Sequence, residues 1–144
     1  MIAEKRNILM VCQGNICRSP MAEGIWKKLF PAHVVESAGL SAPEGNPADP
    51  LAIIVMREIG LDISFHRSRQ IRENLVRWAD LLLVMTNAQR NILEEKYPWI
   101  REKVFRLGHF EGYDIDDPLG ASVQTFRRIC RQIESCAQSW IKYF

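Results

Sequence analysis

Two rhythms of apolar residues alternate along the first half of the chain. Asn7 to Val11 (NILMV) is an almost uninterrupted apolar run of strand length, as expected for a strand buried on both faces. From Ser19 to Phe30 the rhythm changes. Ala22, Ile25, Trp26 and Leu29 recur at three- and four-residue spacing and predict an amphipathic helix. Val34 to Ser37 reads as a second short strand, stopped by Gly39 and a loop carrying Pro43, Gly45 and Pro47. Asp49-Pro50 then opens a helix with Leu51, Ile54, Val55 and Ile59 on one side and Gly60 at its end.

The second half repeats the alternation. Arg69 to Trp78 is predicted as a short helix and Leu81 to Met85 (LLLVM) as a central strand. Asn87 is placed to cap a helix running to Tyr97-Pro98, and Val104 to Leu107 forms a weaker fourth strand. Gly108 to Gly120 reads as loop. Val123, Phe126, Ile129, Cys130, Ile133, Ala137, Trp140 and Ile141 then make the apolar stripe of a long last helix. Four strands alternating with helices predict an α/β fold of three layers, a four-stranded parallel sheet with helices on both faces. Ligands of such sheets bind beyond the carboxyl ends of the strands, which directs attention to the loops after Val11 and Leu107.

Composition narrows the function classes. With 144 residues, 47% hydrophobic and 25% charged, the chain has the size of one domain spanning 1–144. Nineteen Lys and Arg oppose 17 Asp and Glu, and no block of like charge occurs, so bulk electrostatics support neither nucleic-acid nor membrane binding. The opening stretch MIAEKRNILMV is too short in apolar residues for a secretory leader or a membrane span, which makes a cytoplasmic location the expectation. Cys12, Cys17, Cys130 and Cys136 lie in two pairs at opposite ends, without the C-x-x-C or Cys/His spacing of a metal site. No metal and no cofactor is expected, and a disulfide scaffold does not suit a chain with this much core.

The chemistry concentrates in Cys12-Gln13-Gly14-Asn15-Ile16-Cys17-Arg18-Ser19-Pro20, which joins the first strand to the first helix. Successive backbone N–H groups of a loop curling into a helix N-terminus surround a tetrahedral oxyanion, aided by the helix dipole. Gly14 and Asn15 are the two residue types best suited to the left-handed backbone such a cradle needs. A thiolate at Cys12 would be stabilised by the same donors. Arg18 can fold over the anion and hold two oxygens with its planar fork. Ser19 suits the helix start as a cap, or as a donor to the sulfur when it leaves. The plainer alternative is a buried strand-end thiol, a surface cation and a turn; the strand before, the helix after and the Gly-Asn pair inside all speak against it.

On these residues the chain resembles the low-molecular-weight protein tyrosine phosphatase family. Its loop pattern C-x-G-N-x-C-R-S-P is reproduced at residues 12 to 20 and followed by Met21-Ala22-Glu23. Ser37-Ala38-Gly39, the Asn46-Pro47/Asp49 segment, His66 with Arg69-Gln70, and Asp117-Pro118 extend the likeness over the whole chain. The resemblance implies in-line attack by Cys12 on phosphotyrosine, phosphate bound by Arg18 and by the loop from Gln13 through Cys17, and Asp117 protonating the phenolate and later activating water. Protonation is required because a poor oxygen leaving group departs slowly as an anion. Asp114 and Asp116 are rivals within DIDDP; the stiffening Pro118 and the family pattern favour Asp117. The family likeness further gives Asn15, Ser19, Ser37 and His66 a supporting network. His33 and His109 match nothing and are expected at the surface, while Trp26, Trp78, Trp99 and Trp140 are expected in packing roles.

The pattern also departs from the family. The loop after Gly39 lacks the usual aromatic, and Leu119-Gly120 stands where many relatives carry Tyr, leaving Leu40, Phe110, Tyr113 or Leu119 to line the cleft. Regulation by tyrosine phosphorylation at those positions is thereby excluded. Arsenate reductases of this fold use a mid-chain cysteine pair, and nothing between Cys17 and Cys130 supplies one. Phosphoarginine-directed relatives carry Thr where Ile16 stands, and a bulky apolar residue fits an aromatic leaving group better. A non-catalytic phosphate-binding adaptor would have lost the nucleophile or the acid, and both are present. The expected partner is a phosphotyrosine protein such as a bacterial tyrosine kinase, acted on by a monomer or weak dimer. Cys17, five residues from Cys12, is expected to protect it through a reversible disulfide, whereas Cys130 and Cys136 point in different directions and should not pair.

Overall fold

A computed structural model describes residues 4–144; the first three residues of the opening stretch lie outside it. Strands β1 (Asn7–Cys12), β2 (Val34–Gly39), β3 (Leu81–Val84) and β4 (Val104–Arg106) form one parallel sheet in the order β2-β1-β3-β4. β1 is central. It pairs with β2 in the register Asn7 to Val34 and Cys12 to Gly39, and on its other edge with β3 from Ile8–Leu81 to Val11–Val84. The chain leaves β1 to one side and later returns on the other, so the loop after Cys12 lies where crossovers diverge, the usual crevice for a ligand in an open parallel sheet.

Alternate side chains of β1 feed two cores. Ile8, Met10 and Cys12 face α1 (Arg18–Leu29), α2 (Pro50–Glu58) and α5 (Val123–Ser139), in a cluster that includes Trp26, Met56, Phe126 and Ile133. Leu9 and Val11 face the opposite way, with Leu82, Val84, Val76 and Leu93 beneath α3 (Glu73–Trp78) and α4 (Asn87–Lys96). Burial on both faces explains why β1 and β3 lack the alternation of a half-exposed strand. No helix among the described residues is long and apolar enough to cross a membrane.

Several boundaries differ from the sequence expectation, each for a local reason. The helix predicted from Arg69 begins only at Glu73, because residues 69–72 are drawn out along the edge of β2: Gly39 N–H donates to Arg69 O and Ile71 N–H to Gly39 O, with Gln70 bridged to Gly39. Thr86, not Asn87, caps α4, in a reciprocal capping box with Gln89. The last helix stops at Ser139, so Trp140 is buried but Ile141 is exposed. Trp26 and Trp140 pack in the core as expected, whereas Trp99 is 47% exposed and flanked by the Arg77 and Lys103 cations. His109 is exposed, but His33 is half-buried, accepts a hydrogen bond from Arg6 N–H at 3.0 Å and packs against Phe30 and Phe144.

Candidate active site

Residues 12 to 18 curl at the carboxyl end of β1 and enter α1 at Arg18, with Cys17 in the N-cap position. Of the two residues expected to be left-handed, only Asn15 is, with φ of 56°; Gly14 has an ordinary backbone and lies near the Ile16 side chain. Ser19 does not cap the helix. Its hydroxyl lies 2.9 Å from Cys12 Sγ, and Asn15 N–H points at the same sulfur from 3.3 Å.

The direction of these bonds follows from their partners. Arg69 N–H donates to Asn15 Oδ1 at 3.0 Å, which fixes the amide so that Nδ2 faces Ser19 and Ser37, donating to both hydroxyls at 2.8 and 2.9 Å. The Ser37 hydroxyl donates to Glu23 Oε1 at 2.5 Å, and Glu23 is in turn held by Lys27 at 2.6 Å. Ser19, having accepted from Asn15, keeps its proton for the Cys12 sulfur. On the far side His66 Nε2 lies 2.7 Å from the Asn15 carbonyl; since a carbonyl only accepts, Nε2 carries the hydrogen. Burial holds the His66 imidazole below its ordinary pKa, with the bond to Asn15 acting in the opposite sense. Asn15 is thus fastened at its backbone and at both ends of its amide. Glu23 was missed by sequence reasoning, although it lies one helical turn beyond Ser19 and so on the same side of α1.

Gly39 is required beside this cradle. A Cβ there would lie 2.8 Å from Gln13 O and from Ala42 Cβ, and 3.0 Å from Asn15 N. Close approach lets Leu40 N–H and Ser41 N–H donate to the carbonyls of Cys12 and Gln13, welding the end of β2 to the loop.

Arg18 is 4% exposed. Its Nη1 donates to Ile115 O at 2.9 Å, Nη2 lies 3.6 Å from Asp117 Oδ2, and Nε is buried without a partner. A buried guanidinium donor left unsatisfied costs of order 1–3 kcal/mol, a cost that an anion in the cradle would remove. The cleft in front of it, about 210 Å³, is lined by Cys12, Gln13, Gly14, Ile16, Cys17, Arg18, Ser41, Asp117 and Leu119. Asp117 is half-exposed and braced by Leu119 N–H at 3.1 Å.

Of the four candidates for the cleft wall, only Leu119 takes that place, joined by Ser41. Leu40 packs on the α3/α4 core and Tyr113 on the other core, its hydroxyl 3.6 Å from Cys136 Sγ. Phe110 stacks on Tyr143 at a separate surface cleft. Cys17 is buried at the cradle, and burial, with Asp49 and Asp117 adding to it, pushes its thiol up to about 12. Cys130 contacts Met56 and Cys136 contacts Tyr113, so the two are engaged with different neighbours.

A thiol-bearing oxyanion cradle at the central strand of a parallel α/β sheet, with a buried arginine over it and a carboxylate at its rim, defines a class of phosphate-handling proteins. The particular family is given by comparison: the sequence model of the low molecular weight phosphotyrosine protein phosphatases matches residues 7–144, and the chain belongs to that family of hydrolases. It is 43% identical over 136 residues, 94% of each chain, to a probable low molecular weight protein-tyrosine-phosphatase, EpsP, of Ralstonia solanacearum. Among solved structures it is similar to Vibrio vulnificus Wzb in complex with benzylphosphonate, at TM-score 0.94 and 37% identity, covering 98% of this chain and 100% of that one. It is also similar to the YwlE arginine phosphatase of Geobacillus stearothermophilus, at TM-score 0.90 and 34% identity, covering 96% and 92%.

Proposed function

We propose that the chain, as one phosphatase domain, hydrolyses phosphotyrosine in proteins through a phosphocysteine at Cys12. The observation that carries the reading is the orphaned, buried Nε of Arg18 at the cleft that Cys12 also lines: the Nε/Nη2 edge of the guanidinium can donate to two phosphoryl oxygens, while Nη1 stays bound to Ile115. Gln13, Gly14, Asn15, Ile16 and Cys17 supply the rest of the cradle. Cys12 sulfur attacks phosphorus as the P–O bond to the phenol breaks, and Asp117 gives its proton to the departing oxygen. Asp117 then takes a proton from water, which attacks phosphorus and breaks the P–S bond; the Ser19 hydroxyl stabilises the sulfur as it leaves. Ser37 and His66 act by holding Asn15.

The apolar Ile16 and Leu119 at the mouth suit an aryl group. The likeness to an arginine phosphatase keeps phosphoarginine as the second reading, and relative kcat/KM on phosphotyrosine and phosphoarginine peptides decides between them. We place the enzyme in the cytoplasm, acting as a monomer or weak dimer on a phosphotyrosine protein such as a tyrosine kinase. Cys12→Ser should abolish turnover of para-nitrophenyl phosphate while phosphate still binds; more than about a thousandth of the original activity would remove Cys12 as nucleophile. Asp117→Ala should lower kcat far more on phenyl phosphate than on esters with good leaving groups.

Cys17 adds protection. Peroxide oxidises Cys12 to the sulfenic acid; the Cys17 sulfur then attacks, an S–S bond forms, the S–O bond breaks, and the oxygen leaves as water with the Cys17 proton. Because Cys17 is a protonated thiol until about pH 12, bridge formation should quicken as pH rises through the neutral range. After peroxide and then dithiothreitol, the unmodified chain should recover more activity than Cys17→Ser. Equal recovery with no Cys12–Cys17 bridge in mass spectra would end that role.

A further inference from the structure

The loop that carries Asp117 is tied down two and three residues earlier, by groups with no part in the chemistry just described. Asp114 Oδ1 accepts Asn87 N–H, from the first turn of α4, and Arg106 Nη1 from β4, each at 3.0 Å. Ile115 is fully buried in the main core; its N–H donates to Met85 O at 2.9 Å, and its carbonyl takes Nη1 of Arg18. Asp116 is exposed. The chain from 114 to 117 therefore runs from a tether on the sheet, through the arginine, to the acid.

We propose that Asp114 and Ile115 are positioning residues that make Arg18 and Asp117 a single unit. The Ile115 carbonyl, held in place by the Met85 bond and by the Asp114 tether beside it, occupies Nη1 and so turns the Nε/Nη2 edge of Arg18 toward the cradle. The same carbonyl sets the height of Asp117 above the anion. This rests on the roles proposed for Arg18 and Asp117. Asp114 contributes through its Oδ1 as an acceptor and never as an acid. Both bonds use one oxygen that an asparagine also possesses, so the chemistry separates the two roles.

The test compares Asp114→Ala with Asp114→Asn, using a series of aryl phosphates of graded leaving group and inhibition by inorganic phosphate. Asp114→Ala should lose about tenfold in kcat/KM on phenyl phosphate, the scale of a modest misplacement of a catalytic group. It should lose less on para-nitrophenyl phosphate, and its inhibition constant for phosphate should rise about threefold as the Arg18 edge loosens. Asp114→Asn should recover most of both. If Asp114→Ala lowers only Tm, leaving the leaving-group dependence and phosphate inhibition unchanged, the inference is wrong. It is equally wrong if Asp114→Asn is as impaired as Asp114→Ala, since that outcome would make Asp114 an acid. Should Asp114→Ala fail to fold, Arg106→Gln weakens the same tether from its other end and should shift both readouts in the same direction; no shift overturns the proposal. Asp117→Ala and Arg18→Lys serve as controls. If they too leave both readouts unchanged, the proposed function falls along with this inference; if they change them and Asp114→Ala does not, only this inference falls.

Discussion

The cradle of residues 12–18 and the loop carrying Asp117 line the same cleft but are held by different means. Around Asn15 the polar groups are paired, with buried Ser19 and Ser37 and partly buried Glu23, His66 and Arg69 linked to it or to one another. The loop carrying Asp117 has two buried side chains, Ile115 and Pro118, and a few tethers at its base, while Asp117 stands half in solvent. Burying an isoleucine stabilises by roughly 2 kcal/mol, enough to offset the ordering of the residue that carries it but not of the whole loop. The cradle is therefore held by side-chain hydrogen bonds from several elements of the fold. The Asp117 loop depends instead on a few tethers at its base.

The contrast predicts unequal sensitivity. Asn15→Ala should do the most damage: it strands the Arg69 N–H, removes both amide donors and puts a non-glycine residue without a polar side chain at φ of 56°. We expect a loss of about 3 kcal/mol in urea unfolding together with near-complete loss of turnover. A stable, active Asn15→Ala enzyme would mean the cradle is as adaptable as the loop. Gly39→Ala comes next, because its Cβ would collide with backbone atoms of Gln13 and Asn15 and not with a yielding side chain. It should cost about 1–3 kcal/mol and about a hundredfold in kcat/KM.

On the loop side, Leu119→Ala should leave Tm nearly unchanged and raise KM about threefold for aryl phosphates, with little change for small alkyl phosphates. Equal effects on both would remove Leu119 from the cleft wall. The smallest effect concerns His66. Its folded-state pKa lies below the ordinary imidazole value because of burial, so the unfolded chain binds the proton more readily. Its contribution to stability is complete above the unfolded value near 6.5 and is lost as pH falls below it. His33 is shifted in the same direction. The fall in unfolding free energy between about pH 7 and pH 5 should be shallower in His66→Gln, and an unchanged slope would assign it elsewhere.

Much of this was legible in the sequence, and what was not has physical reasons. Continuous apolar runs at Asn7–Val11 and Leu81–Met85 announced central strands, and the C-terminal stripe announced α5. The stretch from Arg69 misled because its spacing suits a helix; its extended form is imposed by Gly39 and Asn15, far away in the chain. Within DIDDP the carboxylates draw the eye away from Ile115, whose burial and backbone bonds anchor the loop. Glu23 reads like any surface glutamate of an amphipathic helix until Ser37 is set against it.

The sequence separations in the cradle have a bearing on synthesis. Asn15 is fastened by residues 4, 22, 51 and 54 positions further along, whereas Arg18 finds the Ile115 carbonyl only 97 positions later. During synthesis Cys12 and Arg18 are made 97 and more residues ahead of the Ile115 carbonyl, so the guanidinium has no fixed orientation until that later segment has followed. Contacts this distant form late. A nascent chain that has not yet reached Ile115 thus carries Cys12 and its polar neighbours without the contact that orients Arg18 over them.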